Sequence, residues 1–267
     1  MSWGLRAGVS SDVGPFRSVN QDAAFAASWG AAVADGVGGG PAGDLASAAL
    51  VHRLVAGGRQ VADAEALALR LRGANWDLGA HVRRDPSLAG MATTFTGLWI
   101  ADDEATLLLA HTGDSRAYLL RDGHLIRQTR DDSFVQALVD QGLVSPEDAM
   151  THPRRNIITA SLRGDARDVV RVVERVPVVG DRWLLCSDGV SDYLPDDVIR
   201  EELALESDPV RAAHALVSQA LDAGSRDNVT AVVCDVATDV ADELSAPVFA
   251  GAAAARFLEG LDTPRAG

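Results

Sequence analysis

Gly30-Ala31-Ala32-Val33-Ala34-Asp35-Gly36-Val37-Gly38-Gly39-Gly40-Pro41 holds three structural units in a row. Gly30 to Ala34 is a short apolar run of strand character, and Asp35-Gly36 interrupts it. From Gly40 onward a helix is expected, because Leu45, Ala48, Ala49 and the run His52 to Val55 keep a helical spacing. A carboxylate that ends a buried strand beside glycine points from a rigid scaffold into a loop-lined crevice. The pattern recurs at Gly113-Asp114-Ser115-Arg116, Ser187-Asp188-Gly189 and Arg226-Asp227-Asn228, each bordering an apolar run. One such site is ordinary turn chemistry. Four of them, on strands that a sandwich brings to one rim, crowd like charges that repel unless protonated or bridged by cations. A hard divalent ion with oxygen ligands and retained waters suits that arrangement.

Outward from this stretch, Leu5 to Val13, Ala92 to Ile100, Ala105 to His111, Arg116 to Leu120, Val169 to Val176, Arg182 to Cys186 and Thr230 to Val236 read as strands. Arg121-Asp122-Gly123-His124 carries Asp-Gly turn chemistry. Ala62 to Val82 reads as a helix with Leu67, Leu71, Ala74 and Leu78 on one face, and Asp131 to Gln141 as another. Ser145 caps a third, ahead of Pro146. Asp208-Pro209 opens a further helix whose apolar stripe is Val210, Ala213, Leu216, Val217 and Ala220, closed by Gly224. Strands early, in the middle and late, with paired helices between, predict an α/β sandwich of packed sheets with helices outside.

The chain has 267 residues, 47% of them apolar, and a formal charge of 24 − 38 = −14. That balance argues against binding nucleic acid, which needs Lys and Arg. Cys186 and Cys234 each sit in an apolar run and read as buried thiols of a reducing compartment. The start Met1-Ser2-Trp3-Gly4-Leu5-Arg6 lacks a signal-peptide core, and the longest nearly apolar stretch, Ala246 to Ala255, is too short to span a bilayer. The expectation is a cytoplasmic protein with no membrane and no nucleic-acid partner. Residues up to 237 form one expected domain, and 238–267 an acidic, Ala-rich tail in which Ala252 to Leu261 has helical character.

Two other chemistries are disfavoured. The glycine run resembles a dinucleotide loop superficially, but the third glycine of that fingerprint would fall on Pro41, and Asp35 is a poor neighbour for a pyrophosphate. The glycines instead suit close approach of a backbone carbonyl to the ion that Asp35 would bind. Gly113-Asp114-Ser115 invites a serine-esterase reading, but of His124, His152 and His214 only His152 lies near a plausible loop, and nothing marks a partner carboxylate. The competing structural account of Asp114 is that it shapes its turn or pairs with Arg116.

Eight motifs, taken in order, resemble the PPM or PP2C-type metal-dependent protein phosphatases in their compact bacterial form. They are Arg17-Ser18-Val19-Asn20-Gln21-Asp22, Ala34-Asp35-Gly36-Val37-Gly38-Gly39, Ala92-Thr93-Thr94, Gly113-Asp114-Ser115-Arg116, Thr129-Arg130-Asp131-Asp132-Ser133, His152-Pro153, Leu185-Cys186-Ser187-Asp188-Gly189 and Arg226-Asp227-Asn228-Val229-Thr230. The resemblance implies two packed antiparallel sheets flanked by helix pairs, an α+β arrangement, with a helical flap over about 133–165. It implies two or three Mn²⁺ or Mg²⁺ ions. Asp35 would bridge the central pair, the Gly36 carbonyl would bind one ion, and Asp188 and Asp227 the other. Asp22 would orient a metal-bound water, Arg17 would hold the substrate phosphate, and Asp114 would share a third, weaker ion with Asp188. Asn156 stands where some bacterial members place a flap ligand to that third ion.

The implied reaction is hydrolysis of phosphoserine or phosphothreonine in proteins by a metal-bridged hydroxide, opposing Ser/Thr kinases in bacterial signalling. The implied partners are phosphorylated proteins, and the chain is expected to act as a monomer. Two positions depart from the family pattern. Gln21 stands where many members have Glu, and Val37 where animal members have a His thought to protonate the leaving group. Rival readings are a catalytically weak binding or regulatory module of the same fold, a regulator dedicated to one phosphorylated partner, and a phosphatase of small-molecule or nucleic-acid esters.

Overall fold

The computed structural model describes residues 3–37, 42–150, 152–238, 240 and 246–256. In chain order the elements are β1 (Trp3–Asp12), β2 (Asp22–Ala27), β3 (Gly30–Asp35), α1 (Gly43–Ala56), α2 (Ala64–Arg84), β4 (Phe95–Ile100), β5 (Leu107–Thr112), β6 (Arg116–Arg121) and β7 (His124–Arg127). They continue with α3 (Phe134–Asp140), α4 (Pro146–Ala149), β8 (Arg171–Arg175), β9 (Arg182–Cys186), α5 (Asp188–Ser191), α6 (Asp196–Leu205), α7 (Pro209–Asp222), β10 (Val229–Thr238), β11 (Val248–Gly251) and α8 (Ala252–Ala255). One sheet runs β1-β10-β9-β6-β7 and the other β11-β2-β3-β4-β5-β8. Every strand pair is antiparallel.

Alternation along the strands builds four layers. Ala24, Ala26, Val33, Leu98, Leu109, Trp183, Leu185, Val232 and Cys234 face the space between the sheets. Their neighbours Ala23, Phe25, Ala32, Ala34, Phe95 and Trp99 face outward, under α1 and α2. On the other side Leu184, Cys186, Ala231 and Val233 meet Ile199 and Leu203 of α6 and Ala213 and Leu216 of α7. Both faces of the central strands are therefore dry, so they read as unbroken apolar runs rather than as hydrophobic–polar alternations. Cys186 and Cys234 are both buried free thiols. The Asp122-Gly123 turn joins β6 to β7 with both residues at positive φ, 52° and 76°, as a tight hairpin requires.

Several expectations need correction. Strand β2 and helix α6 went unrecognised. Asp22-Ala23-Ala24-Phe25-Ala26-Ala27 is too alanine-rich for strand propensity, and its burial on both faces hides the alternation. The helix expected over Asp131 to Gln141 starts later, at Phe134 with Ser133 as cap, because Asp131 and Asp132 are drawn into ion pairs. Val210 lies off the buried stripe of α7, exposed, while Ala212 joins it. The helix expected from Gly40 begins at Gly43, with 38–41 outside the described residues.

The body also does not close at residue 237. Val248–Gly251 pairs antiparallel with β2, from Val248 opposite Ala26 to Gly251 opposite Ala23. Phe249 stacks on His52 of α1 at 4.4 Å, and Ala252 and Ala253 are buried. The apolar stretch first weighed against membrane length is thus a sheet edge plus one helical turn. Residues 257–261 of the expected tail helix lie outside the described residues.

Two further features position the site. The segment from Ser133 to about 165 carries α3 and α4 and leaves and rejoins the body at one point. There Phe134 N–H donates to Ile157 O at 2.8 Å and Thr159 N–H to Asp132 O at 2.7 Å. Away from it, the buried Arg182 of β9 grips both carboxylate oxygens of Asp235 on β10, at 2.6 and 2.8 Å. The same guanidinium donates to the carbonyls of Leu203, Glu206 and Ser207 just past α6.

Candidate metal centre

Five aspartates meet at one rim of the sandwich because each ends or begins an element there. Asp22 opens β2 and Asp35 closes β3, and the two are paired across the ladder. Asp188 opens α5 immediately after β9, Asp227 precedes β10, and Asp114 occupies the turn from β5 to β6. The main chain beneath them is tied down. Asp35 N–H donates to Thr94 Oγ1 at 3.1 Å, and its carbonyl accepts from Thr94 N–H at 2.8 Å and Thr93 Oγ1 at 2.9 Å. A Cβ on Gly36 would lie 2.4 Å from Gly43 O, and one on Gly189 would lie 1.9 Å from Asn228 O, so both motif glycines allow backbone contacts that no other residue permits.

The carboxyls differ in how they are held. Asp22 is buried and accepts from Ser187 Oγ at 2.8 Å and Thr230 Oγ1 at 2.7 Å. Loss of water pushes it up to about 6, against the pull of those two hydroxyls. Asp35 is pushed well above the ordinary carboxylate value, first by burial and then by repulsion from Asp22, Asp188, Asp114 and Asp227. Asp188 is pushed the same way by burial and by Asp114, Asp192 and Asp227. Asp114 rises to about 7 through burial and the charges of Asp131 and Asp192. Asp227 is more open. Its Oδ2 pairs with Arg17 at 2.6 Å and its Oδ1 accepts the Asn228 N–H at 2.8 Å.

Among the described residues, no three His, Cys, Asp or Glu side chains form a ready cage around one point. Asp227 is turned to Arg17, and Asp22 to Ser187 and Thr230, with the Asp35 carboxyl within hydrogen-bond reach of Asp22. The chemistry of the set nonetheless fits a hard divalent cation. It is all oxygen, it is dry, and Asp114 Oδ1 is a buried acceptor without a hydrogen-bond partner. Asp35, Asp188 and Asp227 are the carboxylates that would supply oxygen donors to such an ion.

Beside the cluster, Asp114, Asp188, Asp192, Gln136, Met150 and Arg155 line a cleft of about 400 Å³ between the body and the 133–165 segment. Asp192 was missed in the sequence. It stands one helical turn after Asp188, and that Asp-x-x-x-Asp spacing is the signal that could have found it. Arg155 pairs with it at 3.0 Å. Asn156 is exposed and is not among the cleft-lining residues, so the neighbouring Arg155 takes the place at the cleft expected for it. Arg116 hydrogen-bonds Asp131 at 2.9 Å, and acts on Asp114 through its charge. Val37 donates its N–H to Ala92 O at 3.0 Å, and Gln21 supplies backbone to Gly36 and Ser47 rather than a charge.

The "Protein phosphatase 2C" family profile matches residues 17–229, which covers the whole rim. The chain belongs to that family. It is 41% identical over 254 residues, 93% of its length, to the serine/threonine protein phosphatase PstP of Mycobacterium tuberculosis (strain CDC 1551 / Oshkosh), of which it covers 48%. It is 33% identical over 211 residues to the serine/threonine phosphatase stp of Listeria monocytogenes (serovar 1/2a), covering 76% of this chain and 82% of that one. Among solved structures, the catalytic domain of PstP in complex with two manganese ions superposes with a TM-score of 0.81 at 39% identity, covering 88% of this chain and all of that one. The chain thus spans about half the length of the first curated relatives it matches.

Proposed function

We propose that this chain is a metal-dependent protein serine/threonine phosphatase acting on phosphorylated proteins in the cytoplasm. The observation that carries the reading is the rim of half-buried Asp35 and Asp188 beside buried Asp114 and Asp22, with the Arg17–Asp227 pair at its exposed lip. Asp35, Asp188 and Asp227, with the Gly36 carbonyl, would hold two Mn²⁺ or Mg²⁺ ions, and Asp114 with Asp188 a third. When bound, the ions supply an activated water and neutralise charge on the phosphoryl oxygens.

The chain's own residues do the rest. Arg17 would release Asp227 and turn its fork of donors onto two phosphate oxygens. Asp22, fixed by Ser187 and Thr230, accepts a hydrogen bond at the buried end of the cluster and orients the attacking water. The segment 133–165 forms a flap whose shared foot keeps the far wall of the cleft in register with Asp114. With Val37 in place of a histidine, protonation of the leaving alkoxide falls to water.

Dephosphorylation of a phosphoserine and phosphothreonine peptide panel, with Mn²⁺ and with a chelator, tests the reading. Turnover in Mn²⁺ alone is expected; equal turnover in chelator overturns it. Arg17→Ala should raise KM for a phosphopeptide about tenfold while Mn²⁺ affinity holds or improves, because Asp227 is freed. Arg17→Lys should recover only part of the loss, since a point charge lacks the bidentate fork. An unchanged KM removes Arg17 from the phosphate.

Asp114→Ala separates the third ion from the central pair. The expected protein binds two Mn²⁺ tightly by calorimetry, has lost a weak site, and turns over slowly at any Mn²⁺ concentration. Its chelated form should melt no lower than wild type, since a buried, repelled carboxyl has gone. Full turnover in the folded variant assigns Asp114 to the turn alone.

A further inference from the structure

Phe16 and Val19 are more than half and half exposed, at 59% and 50%, in the loop that carries Arg17. The backbone that carries them is tied down. Asn228 donates its side-chain N–H groups to Val13 O at 2.9 Å and Val19 O at 3.1 Å, and its oxygen accepts Gln21 N–H at 2.8 Å. Asp12 turns back to cap Gly14 N–H at 2.7 Å. The loop is therefore fixed at both ends, with Phe16 held outward beside Arg17.

Arg226 completes the feature. Its guanidinium lies over the Phe16 ring at 4.8 Å, and among the described residues it pairs with no carboxylate. A guanidinium held over a ring face by its charge still has N–H donors to offer a ligand. Arg226 precedes Asp227 and Phe16 precedes Arg17, so this pair adjoins the Arg17–Asp227 pair along both stretches of chain. One to three residues of extended peptide, at roughly 3.3 Å each, reach up to about 10 Å from a phosphoresidue.

We propose that Phe16 and Arg226 form a substrate subsite that selects phosphopeptides carrying a carboxylate side chain within about three residues of the phosphoresidue. The proposal rests on the phosphatase reading above. The occupant is an acidic peptide flank: its carboxylate takes the fork of Arg226, and its stem or a neighbouring apolar side chain covers the exposed face of Phe16 and Val19. The chain's overall charge of −14 opposes acidic ligands at long range. Screening over about 8 Å at physiological ionic strength leaves the local arginine dominant at contact.

Three phosphothreonine peptides, alike except for glutamate, alanine or lysine at the flanking positions, test the subsite. In Mn²⁺, kcat/KM is expected to follow glutamate, then alanine, then lysine, with each exposed charge pair contributing a factor of roughly two to five. Arg226→Glu should reverse the order, Phe16→Ala should compress it, and both should leave hydrolysis of p-nitrophenyl phosphate within about twofold of wild type. An unchanged peptide order in Arg226→Glu overturns the subsite. If neither the peptides nor p-nitrophenyl phosphate are hydrolysed, the phosphatase reading has failed. Fluorescence anisotropy of the same peptides then decides the subsite: binding that favours glutamate keeps it, and indifference removes it.

Discussion

Asp188→Ala should abolish phosphopeptide hydrolysis, by roughly a thousandfold or more, and yet leave a chelated protein at least as heat-stable as wild type. The first half follows from its place. Asp188 stands among Asp35, Asp114 and Asp227, so under the proposed assignment its loss would strip a ligand from both the central and the outer ion, whose charge stabilisation is worth several kcal/mol. The second half follows from repulsion. Burial and the neighbouring carboxylates push the Asp188 carboxyl well above its ordinary value, so in the absence of cations its charge opposes the fold.

The pH dependence follows from the same repulsion. Asp22 at about 6 and Asp114 at about 7 lie above the ordinary carboxylate value of 3.8. The folded protein therefore binds these protons more tightly than the unfolded chain does. Stability of the chelated protein is fully present below pH 4 as far as these groups are concerned, and is lost as pH rises from about 4 to about 7. Mn²⁺ reverses the trend, since its ligands must be ionised. Thermal unfolding in chelator and in Mn²⁺, at pH 5 and pH 7.5, reads both slopes. A chelated wild type that gains stability across this window, or an Asp188→Ala protein that retains turnover, refutes the cluster.

Arg182→Met should cost about 3 kcal/mol of stability, at the low end of what breaking a buried ion pair costs. Asp235 would keep its charge with only the exposed Arg6, at 3.5 Å, to meet it. The carbonyls of Leu203, Glu206 and Ser207 would lose their common donor. The methionine retains much of the apolar stem, which isolates the charge from the packing. Adding Asp235→Leu should recover part of the loss, because the stranded carboxylate is removed while the three carbonyls still lack their donor. Urea denaturation measures both variants. Specific activity per folded molecule should not change, since the pair lies away from the rim. A loss below about 1 kcal/mol in the single variant would mean that water reaches Asp235 and the pair contributes little.

The rim was the part of the molecule most open to reading, because chemistry that needs Asp beside Gly leaves short, local signatures. Asp35-Gly36 and Asp188-Gly189 show why: the glycines are there for backbone contacts under 2.5 Å to a Cβ, a constraint that acts at one position and is written at that position. The strands around Trp183 and Val232 were legible as short apolar runs bounded by turn signals. Strand β2 was not. Its alanines serve helix packing on one side and sheet packing on the other, and no local pattern distinguishes that from a helix. Strand β11 was hidden because its partner lies more than two hundred residues away. The Arg155–Asp192 and Arg116–Asp131 pairs were unreadable because charge pairing across 15 to 37 residues leaves no local pattern.

Antiparallel closure of the sheets sets the order in which this protein can finish folding. Asp22 and Asp35 are made early, but β2 has an open edge until Val248–Gly251 arrives, and β1 has no partner until β10 is made. At typical elongation rates that wait is on the order of tens of seconds. During synthesis the first half of the rim thus waits on loop closures that span most of the chain. The five-carboxylate cluster cannot exist until β10 docks with Asp227 ahead of it, so cation capture by the full set would belong to the end of folding and could not template its beginning.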